Sequence, residues 1–262
     1  MELNELKNIV KIKWNKFYVC KEGTSWTEAV DFGITPDEFL EFAKQDYKNK
    51  DKKGLVGAVT NSKRAIDCQI DWIISYLGYD YLNFNKEKYP NIIKMITELE
   101  KSENLSGEFP LKLRFIQVLE IAPTFLISQI REIRNELEHE YILPSEKRAK
   151  EAVEMAELFI NATQNKIFNK FITNYIIQNK YEEGPWKLEI PSYVIDFNLN
   201  EHDIRIRYLI GDNKEGELRI NSVEEEYIYF IKAAISYDFY YLIKAFRIDI
   251  DRKYVNYKIV EL

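Results

Sequence analysis

Apolar residues recur every three or four positions through most of the chain before residue 183, the spacing that collects them on one face of a helix. The clearest run extends from Leu55 to Leu77, and Gly78 follows it as a helix-ending residue. Pro123 interrupts a later run, because proline disfavours helical geometry at the residue before it. The pattern predicts helices at residues 55–77, 90–99, 111–121, 124–141 and 146–179.

The region before residue 50 admits two interpretations. In the first, two helices flank a less regular stretch at residues 22–35, and the second helix begins at Pro36 with two acidic residues in its first turn, where proline and acids are favoured. In the second, residues 11–20 form a strand. Both interpretations keep the helix that starts at Pro36.

Near residue 183 the pattern changes from helical spacing to alternation. Apolar residues alternate with more polar ones at residues 193–199 and 204–210, and residues 211–216 supply a hairpin connection, so a β-meander is predicted. Residues 223–246 show one long helical pattern rich in Tyr and Phe, and residues 247–262 alternate again.

These patterns predict an α+β protein with two domains. Residues 1–182 are expected to form an N-terminal all-α helical bundle, and residues 183–262 a small α+β accessory domain with a β-meander and one long helix. With 46% hydrophobic and 14% aromatic residues in a chain of 262, there is enough apolar surface to fill such cores.

Charge and cysteine content narrow the functional classes. The formal net charge of −6 argues against nonspecific coating of duplex DNA, which needs many cation–phosphate contacts, whereas an enzyme acting on a short RNA loop needs few. Cys20 and Cys68 are far apart and no CxxC spacing occurs, so neither a disulfide framework nor a zinc site is expected. Because no signal peptide or membrane-spanning run is evident, we expect a cytoplasmic protein with no membrane partner.

The candidate chemistry lies in the predicted helix at residues 124–141. Its narrow apolar stripe is formed by Leu126, Ile130, Ile133, Leu137 and Tyr141. Near its end stand Arg134, Asn135 and His139, side chains that can bind a phosphate and move a proton. The chain contains only two histidines, which makes His139 a conspicuous candidate.

Helical geometry separates these groups into two directions. Asn135 and His139 lie one turn apart on the same side, whereas Arg134 and His139 are about 140° apart around the helix. A single helix therefore cannot aim both Arg134 and His139 at one phosphate, but two copies crossing at a two-fold axis can. We expect a homodimer with a shared cleft, in which Asn135 orients the imidazole or donates to phosphate.

Arg134, the polar Asn135, three further residues and His139 resemble the Arg-polar-x3-His signature of HEPN ribonuclease domains, over residues 36–175. The resemblance implies an all-helical bundle and a metal-independent endoribonuclease without a cofactor, in which Arg134 and His139 are the catalytic pair. It also implies an RNA substrate and a toxin–antitoxin or antiviral defence role with a corresponding partner. Tyr141 fits a His-x-Tyr variant found in HEPN toxins whose antitoxin modifies the Tyr, although it also lies on the apolar stripe.

Other polar residues are candidates for supporting roles. Arg64, Asp67 and Asp71 follow one strip of the predicted helix at residues 55–77. Such a strip usually faces water, but beside the motif an aspartate could pair with Arg134 or orient His139. Glu138 is a similar candidate.

Competing interpretations remain open. The motif segment also resembles an ordinary charged helix face, and a noncatalytic nucleotide- or protein-binding module of the same family is the alternative to the ribonuclease. Arg205, Arg207 and Arg219 stand near aromatic residues and could contact RNA, or could form a solvated strand face. His202 is expected to lie in a turn without a functional role. No Gly-rich phosphate loop, nucleophile elbow or dinucleotide fingerprint is present, so nucleotide-driven enzymes and serine hydrolases have no support.

Overall fold

The structure is a computed structural model, and it describes residues 3–23, 32–103, 109–123, 125–126, 128–129, 132, 143–182, 188–198, 201–211 and 214–262. Within these residues one hydrophobic cluster joins the helices to one face of a mixed six-stranded sheet. The α+β class expected from the periodicity is confirmed. None of the helices in the described ranges has the length and apolarity needed to cross a bilayer.

The elements are numbered in chain order. The helices are α1 (Leu3–Ile9), α2 (Pro36–Asn49), α3 (Lys52–Tyr76), α4 (Pro90–Glu103), α5 (Leu111–Val118), α6 (Glu146–Lys170), α7 (Tyr227–Ser236) and α8 (Tyr240–Ala245). The strands are β1 (Lys16–Gly23), β2 (Asn174–Gln178), β3 (Ser192–Asn198), β4 (Asp203–Ile210), β5 (Lys214–Asn221) and β6 (Asn256–Glu261).

Local chemistry sets the start of α2, at the predicted Pro36. The Thr35 hydroxyl accepts a hydrogen bond from the Glu38 backbone N–H at 3.2 Å, and the Glu38 carboxylate accepts one from the Thr35 backbone N–H at 2.8 Å. This reciprocal capping satisfies two donors that the helix itself leaves unpaired. Helices α2, α3 and α6 then pack together, and a buried hydrogen bond from Gln69 to Thr163, 3.1 Å long, joins α3 to α6.

The strands follow the order β5-β4-β3-β2-β1-β6. Strand β6 runs parallel to β1, and the other neighbours are antiparallel. The predicted β-meander is confirmed as β3, β4 and β5. Val19, Ile177 and Tyr193 stand opposite one another on three adjacent strands and face the helices, whereas their sequence neighbours Cys20, Ile176 and Val194 form a separate small cluster. Both faces of the central strands are therefore apolar.

The expectation that residues 1–182 are all-helical is wrong. Residues 16–23 form β1, which favours the strand interpretation of the N-terminal region. The helix predicted at residues 146–179 ends at Lys170, and β2 follows it. Because β2 is buried on both faces, its apolar run lacks the alternation by which a strand is recognised. The expected domain boundary near residue 183 falls between β2 and β3, which are hydrogen-bonded neighbours.

The single long helix predicted at residues 223–246 is also wrong. It is divided into α7 and α8 at Tyr237, whose φ of 61° lies in the left-handed region. The Ser236 hydroxyl accepts from the Asp238 backbone N–H at 3.3 Å, and the Asp238 carboxylate accepts from the Tyr240 backbone N–H at 3.3 Å. These local bonds compete with a continuous helix. The sequence pattern did not reveal this break, because α7 and α8 are both apolar around most of their circumference.

Candidate functional site

The residues of the Arg-polar-x3-His motif lie outside the part of the chain that the structure describes. This applies to Arg134, Asn135, Glu138, His139 and Tyr141. Their roles stay predictions from the sequence. The described elements on either side are α5, which precedes the motif, and α6, which follows it, and both contribute buried residues to the hydrophobic core.

The α3 strip is described in full. Arg64 is exposed, and Asp67 and Asp71 are half-buried. One carboxylate oxygen of Asp71 accepts a hydrogen bond from the Lys112 ammonium at 2.5 Å, which ties α3 to the first turn of α5. This pairing indicates a structural role for Asp71, because the ion pair connects two packed helices.

Neither cysteine has the environment of a nucleophile. Burial raises the pKa of the Cys68 thiol to about 11, and the negative charges of Asp71 and Asp67 add to the shift. Burial, followed by the charge of Glu22, also raises the pKa of Cys20 to about 11. Since the thiolate is the reactive form, both groups are inert at neutral pH.

We expect the alkylation of Cys68 and Cys20 by iodoacetamide to stay slow up to about pH 10 and to rise only as each raised pKa is approached, because a raised thiol pKa leaves little thiolate below it. Mass spectrometry of the intact protein as a function of pH measures these rates. Alkylation of either cysteine at neutral pH as fast as that of a free thiol would contradict the assignment.

The described residues form a cationic cavity of about 570 Å³ between the end of α5 and the C-terminal half of α6. We call it the lysine pocket. It is lined by Gln117, Glu120, Ile121, Ala122, Pro123, Ala162, Asn165, Lys166, Lys170 and Tyr237. Glu120 is the one carboxylate among these described lining residues.

Lys232, from α7, fixes the position of Glu120. Its side chain is fully buried, and its ammonium donates to the Val118 carbonyl at 2.5 Å and to the Glu120 carboxylate at 2.6 Å. It also lies 5.4 Å from the centre of the Tyr241 ring. A buried ammonium needs such partners because the loss of its hydration is costly. The carboxylate of Glu120 is thereby committed to Lys232.

Lys166 and Lys170 bring two further ammonium groups to the pocket. Burial lowers the pKa of Lys166; the charge of Glu120 opposes this shift, and those of Lys232 and Lys170 add to it. Within the described ranges, neither Lys166 nor Lys170 takes part in an ion pair. The pocket thus holds two ammonium groups beside a carboxylate that is already paired with a third, an arrangement that attracts an anion even though the whole chain is acidic.

The arginines of the β-meander form ion pairs with nearby carboxylates. Arg207 donates to Asp196 at 2.9 Å, and Arg205 lies 3.5 Å from Glu217. Arg219 contacts Glu201, Asp203 and Glu217 at 2.6, 3.2 and 3.0 Å. Such pairing fits the solvated strand face rather than an RNA contact. His202 is exposed in the turn between β3 and β4, as expected.

A larger cavity, of about 630 Å³, lies on the sheet face opposite the helices. Its floor is formed by Ile176, Val194 and Leu209, and Arg207 and Glu217 line its edge. The Arg207 guanidinium is already paired with Asp196, so this cavity offers less uncommitted positive charge than the lysine pocket.

No family model, curated protein or solved structure matches the chain. Any functional assignment therefore depends on the side chains themselves. Among the described residues, no group of three or more His, Cys, Asp and Glu side chains is placed to hold a metal ion.

The lysine pocket was not predicted from the sequence, although two signals of it are present there. Lys166 and Lys170 are four residues apart in a helical pattern, which places them on one face. Lys232 is a single charged residue within an otherwise apolar helical run, and buried lysines need a specific partner. What the sequence lacked was the proximity of α6 to α7.

Proposed function

We propose that this protein is a metal-independent endoribonuclease of the HEPN type, acting in the cytoplasm as a homodimer. The observation that carries the proposal is the sequence from Arg134 through Asn135 to His139, near the end of an amphipathic pattern. A role as a toxin or antiviral defence effector, with an antitoxin or another defence component as partner, belongs to the same proposal.

The proposed chemistry is attack by the ribose 2′-hydroxyl on the adjacent phosphorus. A base removes the 2′-hydroxyl proton, the new oxygen–phosphorus bond forms, and the bond to the 5′ oxygen breaks as that oxygen receives a proton. His139 is suited to either proton transfer because an imidazole titrates near neutral pH. Arg134 stabilises the charge that develops on the phosphate, and Asn135 orients the imidazole or donates to phosphate.

The supporting residues divide into two groups. Glu138 and Tyr141 belong to the motif segment and are proposed to assist it directly. On α3, the exposed Arg64 and the half-buried Asp67 are proposed as supporting residues, and the pairing of Asp71 with Lys112 makes its support of the motif less favourable.

The proposal is tested with purified protein, radiolabelled RNA and EDTA. We expect cleavage that EDTA does not inhibit and products that end in a 2′,3′-cyclic phosphate and a 5′-hydroxyl, because the 2′ oxygen is the nucleophile. Analysis of the product ends is the measurement. RNA carrying 2′-deoxy substitutions is the control substrate, and its cleavage would contradict the proposed nucleophile.

The alternative of a noncatalytic binding module is separated by expression in a bacterial host. Growth arrest by the wild-type chain but not by a His139→Ala variant, at equal protein levels, supports the nuclease. Equal growth with both, together with intact RNA in the purified assay under every activating condition tried, would favour the binding module instead.

A further inference from the structure

The lysine pocket has a composition that the proposed ribonuclease chemistry does not use. Cationic groups and an apolar wall line the same cavity. Lys166 and Lys170 supply the charge, and Ile121, Pro123 and Tyr237 supply apolar and aromatic surface. Its volume of about 570 Å³ lies within the range of about 300–1,000 Å³ typical of small-ligand sites.

We propose that the lysine pocket binds a nucleotide, with the phosphate held by Lys166 and Lys170 and the base placed against Ile121, Pro123 and Tyr237. The ligand is either a free mononucleotide or one nucleotide unit of an RNA strand. The proposal goes beyond the ribonuclease assignment and does not rest on it, because none of these residues belongs to the motif.

The charges of the pocket favour a phosphate over a neutral ligand. Lys166 is half-buried, so its ammonium has lost part of its hydration, and the one described carboxylate of the lining is bonded to Lys232. An entering phosphate would replace the lost hydration with charge-assisted hydrogen bonds from Lys166 and Lys170. Their spacing of one helical turn on α6 lets both ammonium groups approach the same anion.

The remaining lining groups suit a base. Tyr237 is half-buried at the break between α7 and α8, and an aromatic ring can stack on any of the four bases. The Asn165 amide carries a donor and an acceptor, which is the requirement for hydrogen bonding to a base edge. The pocket therefore offers separate surfaces for the two chemically different ends of a nucleotide.

The protonation state of Lys166 should make nucleotide binding depend on pH. Burial holds the pKa of Lys166 below its ordinary value, whereas a bound phosphate would favour the charged form. Affinity should be full while Lys166 is protonated and should decrease as the pH rises through its lowered pKa. The charge of Glu120 raises the pKa of Lys166, whereas the charges of Lys232 and Lys170 lower it further.

The test is isothermal titration calorimetry on the full chain with AMP, GMP, CMP, UMP, inorganic phosphate and a short 2′-O-methyl oligonucleotide, which cannot undergo 2′-hydroxyl attack. We expect at least one mononucleotide, or the oligonucleotide, to bind more tightly than phosphate alone. Binding of mononucleotides identifies a free nucleotide as the ligand. Binding of the oligonucleotide alone identifies a unit of an RNA strand.

Variants locate the binding in the pocket. Replacing Lys166 and Lys170 together by alanine should weaken binding by a factor of about 100, because each removes a charged hydrogen bond to phosphate. Ala162→Phe should block the cavity without changing its charge, since Ala162 lines it. The matched control is Lys150→Ala, which removes an exposed lysine of the same helix that is paired with Glu154. It should bind like the wild-type chain.

Thermal unfolding of each variant shows whether it is folded. If the double lysine variant unfolds, two single variants are used in its place: Lys170→Gln, at an exposed position, and Ala162→Phe, which leaves the charge unchanged. The proposal is overturned if no nucleotide binds, if phosphate binds as tightly as every nucleotide, or if the folded pocket variants bind like Lys150→Ala. If the wild-type chain cleaves no RNA but binds a nucleotide in a way that the pocket variants weaken, the ribonuclease proposal is wrong and the proposal of a nucleotide site is supported.

Discussion

Arg134→Ala and His139→Ala should each reduce the rate of RNA cleavage by a factor of about 1,000, because a positioned acid–base group contributes about 100- to 10,000-fold and loss of a charge-stabilising donor has a similar effect. Single-turnover cleavage of a labelled RNA measures the rate. If the two groups act in one transition state, the double variant should be little slower than either single variant, since their contributions are not additive.

The chain offers matched controls for both substitutions. Arg131→Ala removes an arginine three residues before Arg134, and His202→Asn removes the only other histidine, at a position whose φ of 57° asparagine tolerates. Both controls should retain wild-type cleavage within about threefold, because neither belongs to the motif. If Arg131→Ala or His202→Asn were as damaging as the motif variants, the loss would reflect folding or general charge.

The same two motif variants test the homodimer. If Arg134 and His139 from different subunits form one site, mixing the two inactive variants should restore about a quarter of the wild-type activity, since half of the dimers are mixed and each mixed dimer has one complete site of two. Cleavage by the mixture after subunit exchange is the measurement. If the subunits exchange and the mixture is still as inactive as either variant alone, Arg134 and His139 of different subunits do not form one site.

Arg114→Ala should destabilise the fold by about 3–5 kcal/mol, the second large effect that we expect, because it leaves a buried carboxylate without its partner. The Arg114 guanidinium donates to both oxygens of Glu100, at 2.6 and 2.7 Å, and Glu100 is only 7% exposed. The pair ties α4 to α5, and Glu100 raises the pKa of Arg114, as expected for a carboxylate that favours the charged form. The free energy of unfolding from urea titration is the measurement.

Two companion variants show whether burial is the cause. Arg207→Ala removes a half-exposed arginine that is paired with Asp196, and it should change the free energy of unfolding by no more than about 1 kcal/mol. Replacing Glu100 and Arg114 together by leucine should recover part of the loss, because a buried ion pair is often replaceable by apolar side chains. A loss in Arg114→Ala as small as that in Arg207→Ala would refute the argument from burial.

The helices that have one apolar face were predictable from the sequence. Leu55, Ile66 and Ile73 lie on the core side of α3 within the predicted range, and α2 begins at Pro36, as expected. Likewise, the alternation in β4 reflects a strand with one more polar side. In each case the side-chain pattern records a difference between core and solvent, and this difference is readable without coordinates.

Elements that are buried on all sides were not predictable in the same way. Strand β2 was assigned to the preceding helix, and the break at Tyr237 was missed, because a uniformly apolar run has no periodicity to analyse. The candidate chemistry shows the same division. Arg134, Asn135 and His139 were found because their short spacing is written in the sequence, and their function stays a prediction.

The amino-acid order alone was sufficient for the α+β class, the amphipathic helices, the β-meander and the Arg-polar-x3-His motif, since all of these depend on residues close together in the chain. The contacts between distant residues had to come from the tertiary structure. They place β1 between β2 and β6, and they bring Lys232 to Glu120 beside Lys166 and Lys170. Partners as far apart in sequence as Glu120 and Lys232, which are separated by 112 positions, leave no periodic signal, because only packing of the elements decides which of the many possible pairs meet.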